Sequence, residues 1–425
     1  MELPMEKIDK KDRQIIRSLV AEYAKASDDT SHARTAQLWK NLNDKKPYRP
    51  MVWIDEIPWH EMNVDGALTL RCSGKTARKW EEYLRQSLYQ WQHMRADMVL
   101  NPWLTVEKQY RGGSLYLKPD EHTLTTDPNN RVLSHEYEPS IHTQADIDRL
   151  VRFERPQYLK HETEDEFEQI LSICEGLIPV RLAGIRHIWF TPWDNLIRLW
   201  GVQEALLDLY LHPDLVSYAV NVYVERALEV LDEFESQGLL SPGAGNIRIG
   251  SGGYGYCSDL PGVDTLPQCK TTDMWGCSNA QIFSDVSTEM HWEFALKYDI
   301  PWLNRWKATY YGCCEALHRK AEIIKRIPNL RKISMSPWAH LSEAIEAFDN
   351  KYIFSIKPNP AIFAAPNWEA ATIEKNLRTL LSPVLEAHIP CEVILKDIST
   401  VQYTPQHLWE WSQIAIRVCE DITQA

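Results

Sequence analysis

Apolar positions along the chain recur with two periods. Residues 11–26 place Ile16, Leu19, Val20 and Tyr23 at helical spacing, and residues 80–96 repeat the pattern with Leu84, Leu88 and Trp91. Between them, residues 50–54 (PMVWI) read as a short buried strand. Residues 97–100 (DMVL) read as a second, ending at Pro102 and Trp103. Residues 105–140 read as strands and turns around the polar run PDEHTLTTDPNN; they hold too few apolar residues for a core of their own, which makes them an insertion. Thr163 and Glu166 have the spacing of a capping box, which predicts a helix over 163–176, followed by a strand over 178–182. Pro213 and Asp214 open a helix over 213–237, and Gly238 ends it.

From residue 275 the pattern is regular. Strands over 274–287, 301–315, 330–339, 352–363 and 391–400 each run into a loop and then a helix. The last helices fall at 318–326, up to Phe348, 368–380 and 405–419. This alternation predicts parallel βαβ units. About eight strands predict a closed (β/α)8 barrel, with a doubly wound sheet as second choice. The expected division is an N-terminal helical extension over 1–48 and a barrel over 49–425, with insertions at about 105–140 and 238–272.

The stretch 238–262 holds eight of the 17 glycines. Gly250-Ser251-Gly252-Gly253-Tyr254-Gly255 has the spacing of a dinucleotide fingerprint, but YCSDLP follows and breaks a helix instead of opening one. A pyrophosphate would find no helix N-terminus there. The expectation is a mobile glycine loop over a pocket.

Composition narrows the class. The 425 residues carry 46 Lys and Arg against 59 Asp and Glu, a formal net charge of −13, with 25% charged residues. That balance is globular and disfavours nucleic acid, whose phosphates need a basic surface. No apolar run is long enough for a transmembrane helix, so no membrane is expected. The charged start MELPMEKIDKKDR and nine scattered cysteines point to a cytoplasmic chain with reduced thiols. Seventeen Trp and 18 Tyr stand beside nine Phe. Aromatic side chains with polar handles suit a ligand pocket.

In a barrel, chemistry sits where strands hand over to their loops. That rule selects Asp55, Glu56, Trp59, His60 and Glu61 after the first strand, Trp103 after the second, and His187 and Trp189 after the third. It adds Cys277 and Gln281, then Tyr311, Cys313, Cys314 and Glu315, then Ser336 and Trp338, Lys357 and Asn359, and Lys396 and Asp397. Glu56, Glu61, Tyr311 and Asp397 are the candidate catalytic groups. Trp59, His60, Trp103, His187, Trp189, Gln281, Trp338, Lys357 and Asn359 are candidates for holding substrate. The run Cys313-Cys314-Glu315-x-x-His318 offers thiolate, carboxylate and imidazole, all zinc ligands. The alternative there is a pair of buried thiols, with His318 on the first turn of a helix.

The segments PVRLAGIRHIWFTPWD, FSDVSTEMHWEF, YYGCCEALH and EVILKDISTVQYTP, within roughly residues 175–420, resemble the uroporphyrinogen decarboxylase superfamily, especially its corrinoid-linked methyltransferase branch. The resemblance implies a distorted (β/α)8 barrel. It also implies a zinc ion held at the fifth strand by His-x-Cys-Gly and by a Cys after the eighth. Here Cys313 matches the first Cys, Tyr311 replaces the His, and Asp397-Ile398 stands near the last ligand, while Cys391 lies at the other end of its strand. A zinc set would then combine Cys313 or Cys314 with Glu315, His318 or Asp397. The decarboxylase itself needs an Arg-rich segment for porphyrin carboxylates, whereas PMVWIDEIPWHEM is acidic and repels a polyanion.

The expected function is transfer of a methyl group from a small methoxy- or methylamine-type substrate to a corrinoid protein. The aromatic walls would hold a methylammonium or an aryl ether. A metal, or failing that Glu56, Glu61 or Asp397 as acid, would help the leaving group depart. Two alternatives stand beside it: a metal-independent lyase using Arg186, Arg305, Lys357 or Lys396 on a carboxylate, and a non-catalytic ligand-binding barrel. A homodimer is plausible on general grounds.

Overall fold

The computed structural model describes residues 6–424 apart from 116–118, 120, 125–133 and 263–267. Most of the run PDEHTLTTDPNN and part of the 238–272 insertion thus lie outside the described residues. Eight strands follow the predicted order: β1 (Met51–Ile54), β2 (Leu104–Glu107), β3 (Val180–Ala183), β4 (Trp275–Ser278), β5 (Ala308–Tyr311), β6 (Leu330–Met335), β7 (Ile353–Ile356) and β8 (Cys391–Leu395). Six form one parallel sheet in the order β1-β8-β7-β6-β5-β4, and β2 and β3 form a separate parallel pair. The first strand therefore lies beside the last, as wrapping requires. Among the described residues no ladder joins β1 to β2 or β3 to β4. The architecture is a mixed α/β fold of barrel-like order, without a closed ring of hydrogen bonds.

One strand moves relative to the sequence reading. Residues 97–100 form no strand, because Asp97 ties the segment down by its side chain. Its carboxylate accepts from both Arg49 nitrogens (2.8 and 2.6 Å) and from the Val52 amide at 2.7 Å. The second strand forms instead at Leu104–Glu107, in register with Val180–Ala183.

Helices α1 (Lys10–Ser27) and α2 (Ser31–Asn43) precede β1. Helix α1 lies on α3 (Lys75–His93) and α4 (Lys160–Cys174) through Ile16, Leu19, Val20 and Tyr23. Helix α2 sends Trp39 beneath the strands, where its indole donates to the Asp97 carbonyl at 2.8 Å. Further helices include α5 (Pro213–Ser236), α6 (Leu341–Phe348), α7 (Ala370–Glu386) and α8 (Gln406–Gln424). Alternate residues of β6, β7 and β8 (Ile333, Met335, Phe354, Ile356, Val393 and Leu395) form one apolar core with these helices.

The glycine stretch is a packed plug, not a mobile loop. Arg248 and Tyr254 bridge as a tight hairpin whose tip lies against the inner face of the sheet. The Gly253 amide donates to Glu392 at 3.1 Å, and a Cβ there would stand 2.3 Å from the Trp39 ring. Gly250 has φ +55° and would press a Cβ into Tyr310. These glycines let backbone approach side chains at a distance no other residue permits. Much of the tryptophan excess is likewise packing: Trp39, Trp193, Trp200, Trp275, Trp306 and Trp411 are fully buried.

Candidate functional site

The C-terminal ends of β1, β5 and β8 bring six polar or ionisable residues together. Asp55 and Glu56 follow β1, Cys313 and Cys314 follow β5, and Lys396 and Asp397 follow β8. The Lys396 ammonium is central. It lies 2.7 Å from Asp397, 3.5 Å from Glu56, 3.7 Å from the Cys313 sulfur and 3.8 Å from the Cys314 sulfur. The Asp397 amide donates to Glu56 Oε2 at 3.0 Å, and the Cys314 thiol stands 3.6 Å from Asp397 Oδ2. Arg248, from the plug, pairs with Asp55 and lies 3.1 Å from Glu56. Both carboxylate residues sit in left-handed backbone, Glu56 at φ +50° and Asp397 at φ +56°. Such conformations cost energy and persist only where neighbours hold them, as here.

These contacts drive the ionisations apart. Burial, and then contact with the Asp397 carboxylate, raise Glu56 above the usual carboxyl range. Asp397 is held below its usual range: burial opposes this, but the hydrogen bond with Glu56 and the Lys396 ammonium prevail. The Cys314 thiol, 3.6 Å away, lowers Cys313, and Lys396 assists against the opposing effect of burial; Cys314 is raised by its neighbour. The set thus holds a protonatable carboxyl, a fixed carboxylate, a thiol biased to thiolate and a permanent cation. Two carboxyls pushed to opposite sides of their ordinary values suit a division into acid and anion.

A second polar layer lies beneath. Lys357 donates to Tyr310 Oη (2.5 Å), Ser334 Oγ (2.7 Å), and the Ser355 carbonyl (3.0 Å) and hydroxyl (3.1 Å). Burial pushes its amine down to about 7. Ser334 in turn donates to the Cys313 carbonyl at 2.6 Å, which joins this layer to the thiols. Beside the cluster, a cavity of about 390 Å³ is walled by Tyr23, Trp53, Trp80, Tyr83, Trp103 and Tyr254, with Asp55 and Arg248 on its lining.

Several residues expected at the site lie elsewhere. Glu61 is buried and accepts from Thr400 Oγ1 at 2.9 Å and the Val401 amide at 2.6 Å, pinning the loop after β8. His60 sits 3.8 Å from it. Trp59 packs edge-on to Tyr89. Tyr311 points to the outer side, 2.7 Å from His291 Nε2, while its neighbour Tyr310 takes the inner face. His187 accepts from the Gly250 amide at 3.0 Å and is pushed down to about 4 by burial, so it anchors the plug as a neutral ring. Gln281 donates to Asp194 at 2.7 Å. Trp189 lines a different cavity beside Phe190 and Trp302. Asn359 accepts from the Ala361 amide and lines a pocket between the sheet and α7. Trp103 does reach the aromatic cavity, with the Arg181 guanidinium 3.7 Å over its ring. Of the other cations, Arg186 lines that cavity 3.4 Å from Glu107, and Arg305 pairs with Asp232 at 2.7 Å.

The zinc set Cys313, Cys314, Glu315 and His318 is not brought to one point. Glu315 is fully buried and accepts from the Cys313 amide (2.7 Å) and the Ala280 amide (3.2 Å), closing its own turn. His318 lies in a groove with His340 and the exposed Trp338, and close to Glu343. The thiols already face a cation, Lys396, where a metal would need to sit. These residues do not fit a zinc ion at the strand ends. Arg248, Trp53, Trp80, Tyr83 and Tyr254 belong to the site and were not singled out from the sequence. Only the proximity of Trp53 to the end of the first predicted strand could have marked one of them.

No family model matches the chain, and no curated protein matches it. Among solved structures it is similar to a methyltransferase from Methanosarcina mazei, with a TM-score of 0.50 and 11% identity, over 91% of this chain and 98% of that one. The likeness is one of fold. No helix among the described residues is long and apolar enough to cross a membrane.

Proposed function

We propose that this chain transfers a methyl group from a small, neutral or cationic methylated donor to a corrinoid protein. The observation that carries the reading is the aromatic-walled cavity whose lining ends at Asp55 and Arg248, the outer members of the ionised cluster. Aromatic faces attract an alkylammonium by about 0.5–2 kcal/mol each when desolvated, and they stack equally well on an aryl ether. The fold shared with a methyltransferase supports the same reading.

In this reading the donor binds against the rings with its methyl group toward the open strand ends. An alkylammonium departs as the neutral amine without further protonation, whereas a methyl ether loses its methyl only if the departing oxygen gains a proton. Glu56, kept protonatable by burial beside Asp397, supplies it. Lys396 stays charged and holds Asp397 and the thiols in place. The corrinoid, when its protein docks, supplies the nucleophile that takes the methyl group. Trp338, Trp189 and Tyr403 are exposed on loops after β6, β3 and β8 and offer that partner an aromatic rim. The cations at the strand ends are matched: Arg248 and Lys396 face Asp55, Glu56 and Asp397. With no surplus positive charge in that cluster, a carboxylate substrate for the lyase alternative finds little support there.

The test is a screen of methoxy and methylamine donors with cob(I)alamin, followed by the absorbance change on methylation. The wild-type chain should turn over at least one donor class. Glu56→Gln should lower kcat by about 10²–10⁴-fold for methyl ethers, with little change for alkylammonium donors, while leaving donor affinity near wild type. Release of carbon dioxide from a carboxylated donor, with no methyl transfer, overturns the proposal.

A further inference from the structure

We propose that His318, His340 and Glu343 form a binding site for a divalent transition-metal ion of the zinc class. Their donor atoms all lie within 4.8 Å of one another. His340 is the N-cap of α6 and Glu343 the third residue of that helix, so their side chains meet at the helix start, with His340 Nδ1 2.9 Å from Glu343 Oε1. His318 comes from the 3-10 turn Leu317–Lys320 after β5, and its ring stacks on His340 at 4.8 Å.

The second observation is the state of His318. It is 7% exposed, and neither ring nitrogen has a hydrogen-bond partner among the described residues. Its Nε2 lies 3.7 Å from Glu343 Oε2. A buried polar group left without a partner costs about 1–3 kcal/mol. A ring nitrogen shut off from solvent and facing a carboxylate is placed as one ligand, and the stacked His340 ring, whose side chain is 61% exposed, turns for its in-plane lone pair to meet the same ion. Two imidazoles and one carboxylate make a three-ligand set that leaves a coordination position open. His318 and His340 line a groove of about 800 Å³ whose wall also includes Cys314 and Lys320. Arg319, 3.2 Å from Glu343, is the competing cation, but its side chain is 69% exposed and free to swing into solvent. The inference does not rest on the methyl-transfer reading, because the site lies outside the cluster around Lys396.

The test uses the full chain, freed of metal by a chelator and titrated with Zn²⁺ and with Co²⁺. One ion per chain should bind, and Co²⁺ should show the intense visible bands of a low-coordinate nitrogen–oxygen site. His318→Ala and Glu343→Gln should each weaken binding by at least about tenfold. His340 is exposed enough that His340→Ala should weaken binding without changing the urea midpoint of the metal-free protein. A Cys313→Ser, Cys314→Ser double variant should bind as wild type. Failure to bind either ion overturns the site. So does binding that survives loss of His318 and His340 but disappears with the two thiols.

Discussion

Strands β6, β7 and β8 carry opposite chemistry on their two faces. Toward the helices lie Ile333, Met335, Phe354, Ile356, Val393 and Leu395. Toward the glycine plug, on the alternate residues, lie Lys332, Ser334, Ser355 and Glu392 beside Ile353 and Ile394, with Lys357 and Lys396 just past the strand ends, all buried. The inner face of a (β/α)8 barrel is ordinarily filled by branched aliphatic side chains. The outer face here needs only volume and apolarity, and many substitutions satisfy it. The inner face needs each polar group to meet its partner: Lys332 meets Glu392, Glu392 meets Gly253, Lys357 meets Tyr310 and two serines. An arrangement so specified fixes where Lys396 and the thiols sit.

The largest effect expected follows from removing one member of the innermost pair. Lys332 and Glu392 are 2.8 Å apart and have no exposed side-chain surface. Lys332→Met leaves the buried carboxylate without its cation and should cost about 3–5 kcal/mol in urea unfolding. Adding Glu392→Leu should recover a large part, since an apolar pair of similar volume often matches a buried ion pair. On the outer face, Ile333→Val should cost only about 0.5–1.5 kcal/mol. Equal losses at both positions would mean the inner pair is no more demanding than the apolar core. The plug gives the next test. Gly253→Ala forces a methyl group into Trp39 and should cost about 1–3 kcal/mol, whereas Gly245→Ala, with nothing near its Cβ position, should stay within about 0.5 kcal/mol of wild type.

The alternation of strands and helices past residue 275 was legible because each strand is a short apolar run and each helix carries a 3.6-residue stripe. Glu56, Cys313, Cys314 and Asp397 were legible by position alone, at strand ends. The inner face was not. In LRKISM, alternating Lys and Ser with Ile and Met reads as a strand with one solvated side, and nothing local says that a plug 80 residues earlier covers that side. Tyr310 and Tyr311 cannot be ordered without knowing the register, because a one-residue slip exchanges the faces. The strand expected at 97–100 failed because Asp97 is a long-range hydrogen-bond acceptor, which an apolar count ignores. His318 was marked as a ligand, but His340 and Glu343 come from the next loop and helix, and no fixed spacing connects them.

The smallest and most local contrast lies between two adjacent residues of β7. Ser355→Ala and Ile356→Val each remove one heavy atom, on opposite faces. Ile356→Val should cost about 0.5–1.5 kcal/mol at every pH, because a lost methyl group carries no proton. Ser355→Ala removes a hydroxyl 3.1 Å from the Lys357 ammonium, one of the contacts that favour its charged form. In the native protein Lys357 titrates near 7, because burial disfavours its charge, while in the unfolded chain it stays protonated to about 10.4. Between those values the unfolded state binds more protons, so this group makes stability rise with pH across the window; below it the burden of a buried ammonium is fully present. Without the Ser355 hydroxyl the native amine should titrate lower still. The lower edge of the rise should then move to more acid pH, leaving the variant less stable than wild type at pH 6 by more than at pH 9. Urea midpoints of both variants from pH 6 to pH 9 measure the difference. A Ser355→Ala loss independent of pH would place the hydroxyl in packing alone and remove Lys357 from the polar network beneath the thiols.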